Sequence, residues 1–445
     1  MGSHPSGVEW SGVEWTERKK ITKTTSAAAG SCRSLEWQRG QSMKGVWFLV
    51  VLCVVPWMSL SQLAMAARPL EASSFEQLLK HGKPLYVRMA DTALDIFNST
   101  GPGKEQWNYE RGTLLYGIES VWRKTNVDKY YEFIVNRTDA FVAENGSIPT
   151  FKIEDYNLDN IRSGTNLLFL YGKTGLQKYK IAADLLHEQL KGQPRLKEGG
   201  YWHKLIYPYQ MWLDGLFMAE PFRAQYAKMF DKPEEYDDIA LQHIWMEKNA
   251  RDEKTGLLYH GYDESREQAW ANKVTGTSPS FWGRAMGWYA MSLVDTLDYF
   301  PKDHPKRDDL IHILRRLAKA LTDFQDKDSG VWWQVVDQGG RAGNYFESSA
   351  SSCFVYALAK GAHKGYLAPH YYLAAKFGYE GIKKQFVVDR ADGGIDLTNT
   401  VSVGGLGGTS NYRNGTYEYY LSEKVVTNDA KGIGPFLLAS VQLSH

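Results

Sequence analysis

Residues 255–263 read TGLLYHGYD, and the pattern returns twice, as GGYWHK at 199–204 and as SGVWWQVVD at 329–337. Each copy is a glycine, aromatic residues, then a His or a Gln, and each lies between two segments with helical spacing. Apolar residues recur three and four apart in Leu114/Ile118/Val121/Trp122 and in Leu310/Ile313/Leu314/Leu317/Leu321, the mark of helices with one buried face. Gly200, Gly256 and Gly330 are 56 and 74 residues apart, which suits one helical hairpin plus a connecting loop. Residues 70–445 have room for about six such units. The predicted fold is therefore all-α: six helical hairpins closed into a ring, inner helices parallel to one another and outer helices antiparallel to them. An open solenoid is the alternative, but it calls for longer arrays and polar terminal caps that this sequence does not show.

Composition narrows the function. The 445 residues carry 52 basic against 51 acidic side chains, so there is no bulk electrostatic case for nucleic acid or for an anionic membrane surface. A small or neutral partner fits better, with the protein a monomer or a weak dimer. The 15 Trp and 27 Tyr have two readings, a ligand that stacks, such as a sugar, or a large core. Of the three cysteines, Cys32 and Cys53 fall in a segment expected to be removed. The one remaining thiol, Cys353, excludes a disulfide framework and a Cys-rich zinc site.

The N-terminal part reads as a targeting signal. From Met43, MKGVWFLVVLCVVPWMSLSQLAMAA gives a Lys, an apolar run from Val46 to Leu60, and an Ala64-Met65-Ala66 cleavage pattern. Residues 43–66 are thus expected to be a signal peptide, which places the protein outside the cytoplasm, periplasmic or secreted. Pro56, Ser59 and Ser61 shorten the apolar run below the roughly 20 residues of a membrane span, so no membrane association is expected once the signal is cleaved. Residues 1–42 carry a tandem SGVEW repeat and are expected to be a disordered upstream extension, consistent with a mis-assigned start. Residues 67–445 form one catalytic domain in this reading.

The chemistry centres on YPYQMWLDGLFMAEPF, residues 207–222. A carboxylate amid such apolar neighbours is costly unless paired, so Asp214 either stabilises a helix dipole or does chemistry. It falls in the first turns of a helix that Tyr207-Pro208 introduces and that Pro221 kinks or ends. Asp159 holds a similar place 55 residues earlier, at the first turn of a helix with Leu158, Ile161, Thr165 and Leu168 on its apolar face. In a ring of parallel inner helices, two such acids face one mouth, which suits sugar chemistry with one carboxyl protonated and the other ionised. His203 and His260 lie in the repeated loop and should point into that mouth, unless they are structural. Arg284 and Trp288, four apart in SPSFWGRAMGWYAMSLVDTLDYF, could bind an acidic sugar by guanidinium and indole, or simply pack. Gly404-Gly405 and Gly407-Gly408 are read as a flexible loop at the mouth rather than a phosphate loop, with no strand before them and no helix starting at the last glycine. His304 and His312 lack ligand spacing, so no metal is implied.

The blocks YPYQMWLDGLFMAEPF, LYHGYDES, SPSFWGRAMGWYAMSLVDTLDYFP, NYFESSASSCFVYAL and NGTYEYYLSEKVVTNDAKGIGPFLLAS resemble the unsaturated rhamnogalacturonyl hydrolases of glycoside hydrolase family 105, from about residue 75 to the end. The resemblance implies an (α/α)6 barrel without metal or cofactor. It implies a substrate with an unsaturated galacturonic acid at its non-reducing end, the product of a pectin lyase, hydrated across its C4=C5 bond. Asp214 would be the general acid/base, with a raised pKa that keeps it able to give a proton. Asp159 would hold substrate and water, and Tyr109, His203, Trp212, His260, Arg284 and Trp288 would line the sugar subsite. Rival readings are a family 88 glucuronyl hydrolase acting on glycosaminoglycan fragments, a non-catalytic sugar-binding toroid, and an ordinary inverting glycosidase.

Overall fold

In the computed structural model, residues 82–99, 106–408 and 412–444 are described; the readings made for residues 1–66 lie outside them. Thirteen α-helices follow in chain order among these residues: α1 Leu85–Ser99, α2 Tyr109–Thr125, α3 Asp128–Asp139, α4 Gly164–Thr174, α5 Gln177–Gly192, α6 Leu213–Met229, α7 Tyr236–Ala250, α8 Gly283–Thr296, α9 Arg307–Asp323, α10 Ser348–His363, α11 His370–Phe386, α12 Tyr417–Ser422 and α13 Ala430–Leu443. Helices α2, α4, α6, α8, α10 and α13 pack each on the next, and α13 returns to α2. That closes the ring. Helices α3, α5, α7, α9 and α11 lie outside, each following its inner partner, and the sixth outer helix is α1, which packs on α13.

Sequence explains which helices are inside. Every residue of α8 is buried, and α10, SSASSCFVYALAKGAH, is buried from Ser348 to Gly361, as expected for helices without a solvent face. Outer α9 buries only its Leu310/Ile313/Leu314/Leu317/Leu321 side, the stripe legible in the sequence. Small residues let the inner helices touch: a Cβ on Gly117 of α2 would lie 2.8 Å from Gly434 O of α13, and one on Gly434 would lie 2.5 Å from Thr113 O.

The repeated loops bind the starts of the inner helices. His203 O accepts from Leu158 N at 3.1 Å, His260 O from Leu213 N at 3.0 Å, and Gln334 O from Gly283 N at 3.0 Å. The second and third copies therefore satisfy a backbone donor at the N-termini of α6 and α8, and the first does the same for the 3₁₀ turn Leu158–Ile161 that leads into α4, each within its own hairpin. Gly256 and Gly330 take the positive φ the turn needs, 73° and 79°; in the first copy Gly199 does so at 111°, one residue ahead of the glycine aligned from sequence.

Six short strands in three antiparallel pairs add to the loops: β1 Gln210–Trp212 with β2 Gly261–Asp263, β3 Val387–Asp389 with β4 Ile395–Leu397, and β5 Thr400–Val401 with β6 Val425–Val426. Three local expectations change. Helix α6 starts at Leu213, after β1, and runs through Pro221 to Met229; packing on α4, α7 and α8 holds a helix that lacks one backbone donor. Asp159 sits in a 3₁₀ turn, Leu158–Ile161, ahead of α4 rather than in it. A strand, β5, does precede the paired glycines, although the next helix begins only at Tyr417.

Candidate active site

Strand pairing builds the centre of the mouth. Trp212 lies opposite Gly261 in the β1–β2 ladder, so Asp214, two residues past Trp212, and His260, one before Gly261, are brought together. His260 Nε2 is 3.0 Å from Asp214 Oδ2, and the hydroxyl of Tyr420 lies 2.7 Å from His260 Nδ1. All three side chains are buried. Tyr420 is stacked on Trp282, with centroids 5.5 Å apart and planes at 13°. Gln334 ties the two together, donating from Nε2 to Tyr420 O at 3.1 Å and accepting from Trp282 Nε1 at 3.2 Å.

Ionisation of Asp214 departs from the expectation. Burial works to raise its pKa, but the imidazole of His260, and His203 further off, outweigh it and hold the carboxyl below its ordinary value. The residue is a carboxylate in the free protein, not a standing acid. Burial, with Tyr419 and Asp214 adding to it, pushes the phenol of Tyr420 well above its ordinary value.

Around the mouth, the preceding repeat supplies a second carboxylate. Asp159 accepts an ion pair from Lys204 Nζ at 2.5 Å, and His203 Nε2 lies 3.4 Å from its other oxygen. Burial pushes His203 down to about 4, against the opposing pull of Asp159. Burial also disfavours charge on Lys204, but Asp159 more than compensates and its pKa is raised. Trp212 links the two carboxylate groups: its ring stacks on His203 at 4.5 Å and on Tyr207 at 4.7 Å, and meets His260 edge-on at 5.2 Å.

Tyr109, at the start of α2, is half-buried. Burial pushes its phenol well above the ordinary value, with Asp159, Glu110 and Asp214 adding to it and Arg284 opposing. Arg284 is buried; its Nη1 donates to Val401 O and lies 3.4 Å from Ser349 Oγ, and its guanidinium sits 4.8 Å over Trp282. Trp288 is placed differently from the expectation. It is 1% exposed and stacks on Phe217 at 4.9 Å and 10°, whose ring also carries Arg162 at 4.1 Å. The indole is part of the ring's interior behind the site, not an open face for a sugar, because α6 and α8 close on it.

Sequence reasoning missed Tyr420, Trp282, Lys204, Tyr207 and Gln334. Lys204 and Gln334 stood in the repeated loops and could have been found there. Tyr420 lies 160 residues from His260, and no spacing rule reaches that far. The paired glycines have a packing role: a Cβ on Gly404 would run into the ring of Trp282, and Leu406 packs with Trp212 and Trp270 in a small apolar cluster over the mouth.

A family model described as Glycosyl Hydrolase Family 88 matches residues 86–445. A 24.9 kDa protein in the picA locus of Rhizobium radiobacter is 41% identical over 227 residues, 50% of this chain and 96% of that protein. The unsaturated rhamnogalacturonyl hydrolase YesR of Bacillus subtilis is 28% identical over 258 residues, 57% of this chain and 70% of that protein. The solved structure of a family 105 glycoside hydrolase from C. acetobutylicum superposes with a TM-score of 0.78 at 46% identity, covering 81% of this chain and 99% of that one.

Proposed function

Because this chain belongs to glycosyl hydrolase family 88, we propose that it removes a terminal unsaturated galacturonic acid from rhamnogalacturonan fragments by hydrating the C4=C5 bond. The observation that carries the reading is the pairing of two carboxylates from successive repeats at one mouth, with an imidazole 3.0 Å from Asp214. The relative described as an unsaturated rhamnogalacturonyl hydrolase supports the choice of sugar.

Hydration needs a proton delivered to C4 and a hydroxyl to C5. Asp214 is ionised when the site is empty, so it must gain its proton as substrate binds. The uronate carboxylate provides the reason: a like charge brought into a buried site favours the neutral form of its neighbour. Protonated Asp214 then gives its proton to C4, and its carboxylate takes one from the water that adds to C5. Asp159, fixed by Lys204, holds water and substrate hydroxyls without exchanging protons. The C5 hemiketal opens to a ketone, and the hemiacetal this leaves at C1 expels the rhamnose as an alcohol, one water being consumed in all. Trp212 and Tyr207 offer the aromatic surface at this mouth.

The test is to follow the ultraviolet absorbance of the C4=C5 uronate in a lyase-generated unsaturated rhamnogalacturonan disaccharide. Absorbance lost together with release of rhamnose is the expected result. Rhamnose released at constant absorbance means direct hydrolysis and overturns the mechanism. Turnover of unsaturated chondroitin or heparin disaccharides alone overturns the choice of sugar.

A further inference from the structure

Tyr420 reaches the reaction centre from α12, far from the loop that carries His260. Its hydroxyl has one hydrogen-bond partner among the described residues, His260 Nδ1 at 2.7 Å. On the far side of the ring, His260 Nε2 lies 3.0 Å from Asp214 Oδ2. The three groups form a line with the imidazole in the middle, all of it shielded from water. Two tautomers are available to a neutral imidazole. With the proton on Nδ1, the bare lone pair of Nε2 would face a carboxylate oxygen across 3.0 Å, and both atoms would repel. With the proton on Nε2, the phenol donates to Nδ1, and Nε2 presents a positive N–H edge to the carboxylate oxygen 3.0 Å away, an ion–dipole contact outside hydrogen-bond alignment, so each contact is attractive.

We propose that Tyr420 is a positioning residue that fixes His260 as its Nε2–H tautomer and thereby orients Asp214 for proton transfer to the substrate. The phenol is held in place by the stack on Trp282, by the Gln334 bond to its carbonyl, and by the hydrogen bond itself. Burial keeps its own proton in place. Gln334 stands at the position that His260 fills one repeat earlier, so the third copy of the loop braces the residue that sets the second. The proposal rests on the reading of Asp214 as the acid/base.

The test uses Tyr420→Phe, which keeps the ring on Trp282 and removes only the hydroxyl. Nitrogen NMR of protein labelled in its histidines reads the tautomer directly, His260 being assigned as the signal missing from His260→Gln. The wild type is expected to show a protonated Nε2 and a bare Nδ1, and the variant a mixture of the two neutral forms. On the unsaturated disaccharide, kcat should fall at least about tenfold while KM stays within about twofold, since a wrong tautomer harms proton transfer and not binding. A wild-type His260 protonated on Nδ1 overturns the proposal without reference to any variant. So does a Tyr420→Phe protein with unchanged kcat. If the tautomer responds as expected but the wild type turns over no unsaturated uronate, the positioning of His260 stands and the functional reading falls.

Discussion

Two neighbouring copies of one loop each deliver a histidine to a carboxylate, and the results differ. In the first copy His203 shares Asp159 with Lys204; in the second, His260 faces Asp214 with only a phenol behind it. The residue after the histidine makes the difference, Lys204 in one and Gly261 in the other. An ammonium whose pKa the carboxylate raises keeps its proton and pins that carboxylate, whereas an imidazole can pass a proton in either direction. In the proposed function the same element serves as an anchor in one repeat and as an acid–base centre in the next.

Substitution can break that comparison at its strongest point first. Asp214→Asn should lower kcat on the unsaturated disaccharide by about 10³-fold, within the range of a lost general acid, while calorimetry still detects substrate binding. A smaller effect shows in acid stability. The unfolded chain protonates His203 near 6.5, the folded protein only near 4, so the unfolded state binds more protons in that window and stability falls as pH drops through it. The loss is up to about 3 kcal/mol at 1.36 kcal/mol per pH unit. His243, also pushed down to about 4 by burial, adds a second contribution. Urea unfolding at pH 7 and pH 4.5 should show the decline, and His203→Gln should flatten part of it. Asp159→Asn should cost about 10²-fold in kcat/KM, shared between kcat and KM, as suits an anchor. The smallest change is expected from Lys204→Met, which makes the first copy resemble the second: KM should rise about fivefold with kcat nearly kept. A fall in kcat as large as that of Asp214→Asn would show that Lys204 takes part in proton transfer.

The ring was legible because the period of the glycine–aromatic loop is a property of the chain itself, and the loops do bind the inner-helix starts. Local detail was less so. Pro221 reads as a kink or an end, yet the helix continues to Met229, because burial among three helices outweighs one missing hydrogen bond. Asp159 looked helical because Leu158, Ile161, Thr165 and Leu168 keep a helical spacing that a 3₁₀ turn and the following helix satisfy equally. The raised pKa expected of Asp214 followed from its apolar sequence neighbours, whereas the imidazole that reverses the shift comes from the loop that closes the same hairpin, 46 residues further on. Trp288 was paired with Arg284 by spacing, but in a helix buried on every side a fourfold spacing does not say which face opens to the mouth.

The inner ring closes between α13 and α2, and the outer helix that covers α13 is α1, from the other end of the chain. Arg88 on α1 reinforces the seam, donating to Gly393 O at 2.8 Å and Gly394 O at 2.9 Å across some 305 residues, and Lys431 binds Glu110 at 2.6 Å. During synthesis, five hairpins can assemble on the ribosome as local units, but the sixth must wait for residues 430–443. Closing so long a loop is entropically slow. Until then α1 and α2 present apolar faces to solvent, which makes the nascent, unclosed ring the state most exposed to aggregation and to chaperones.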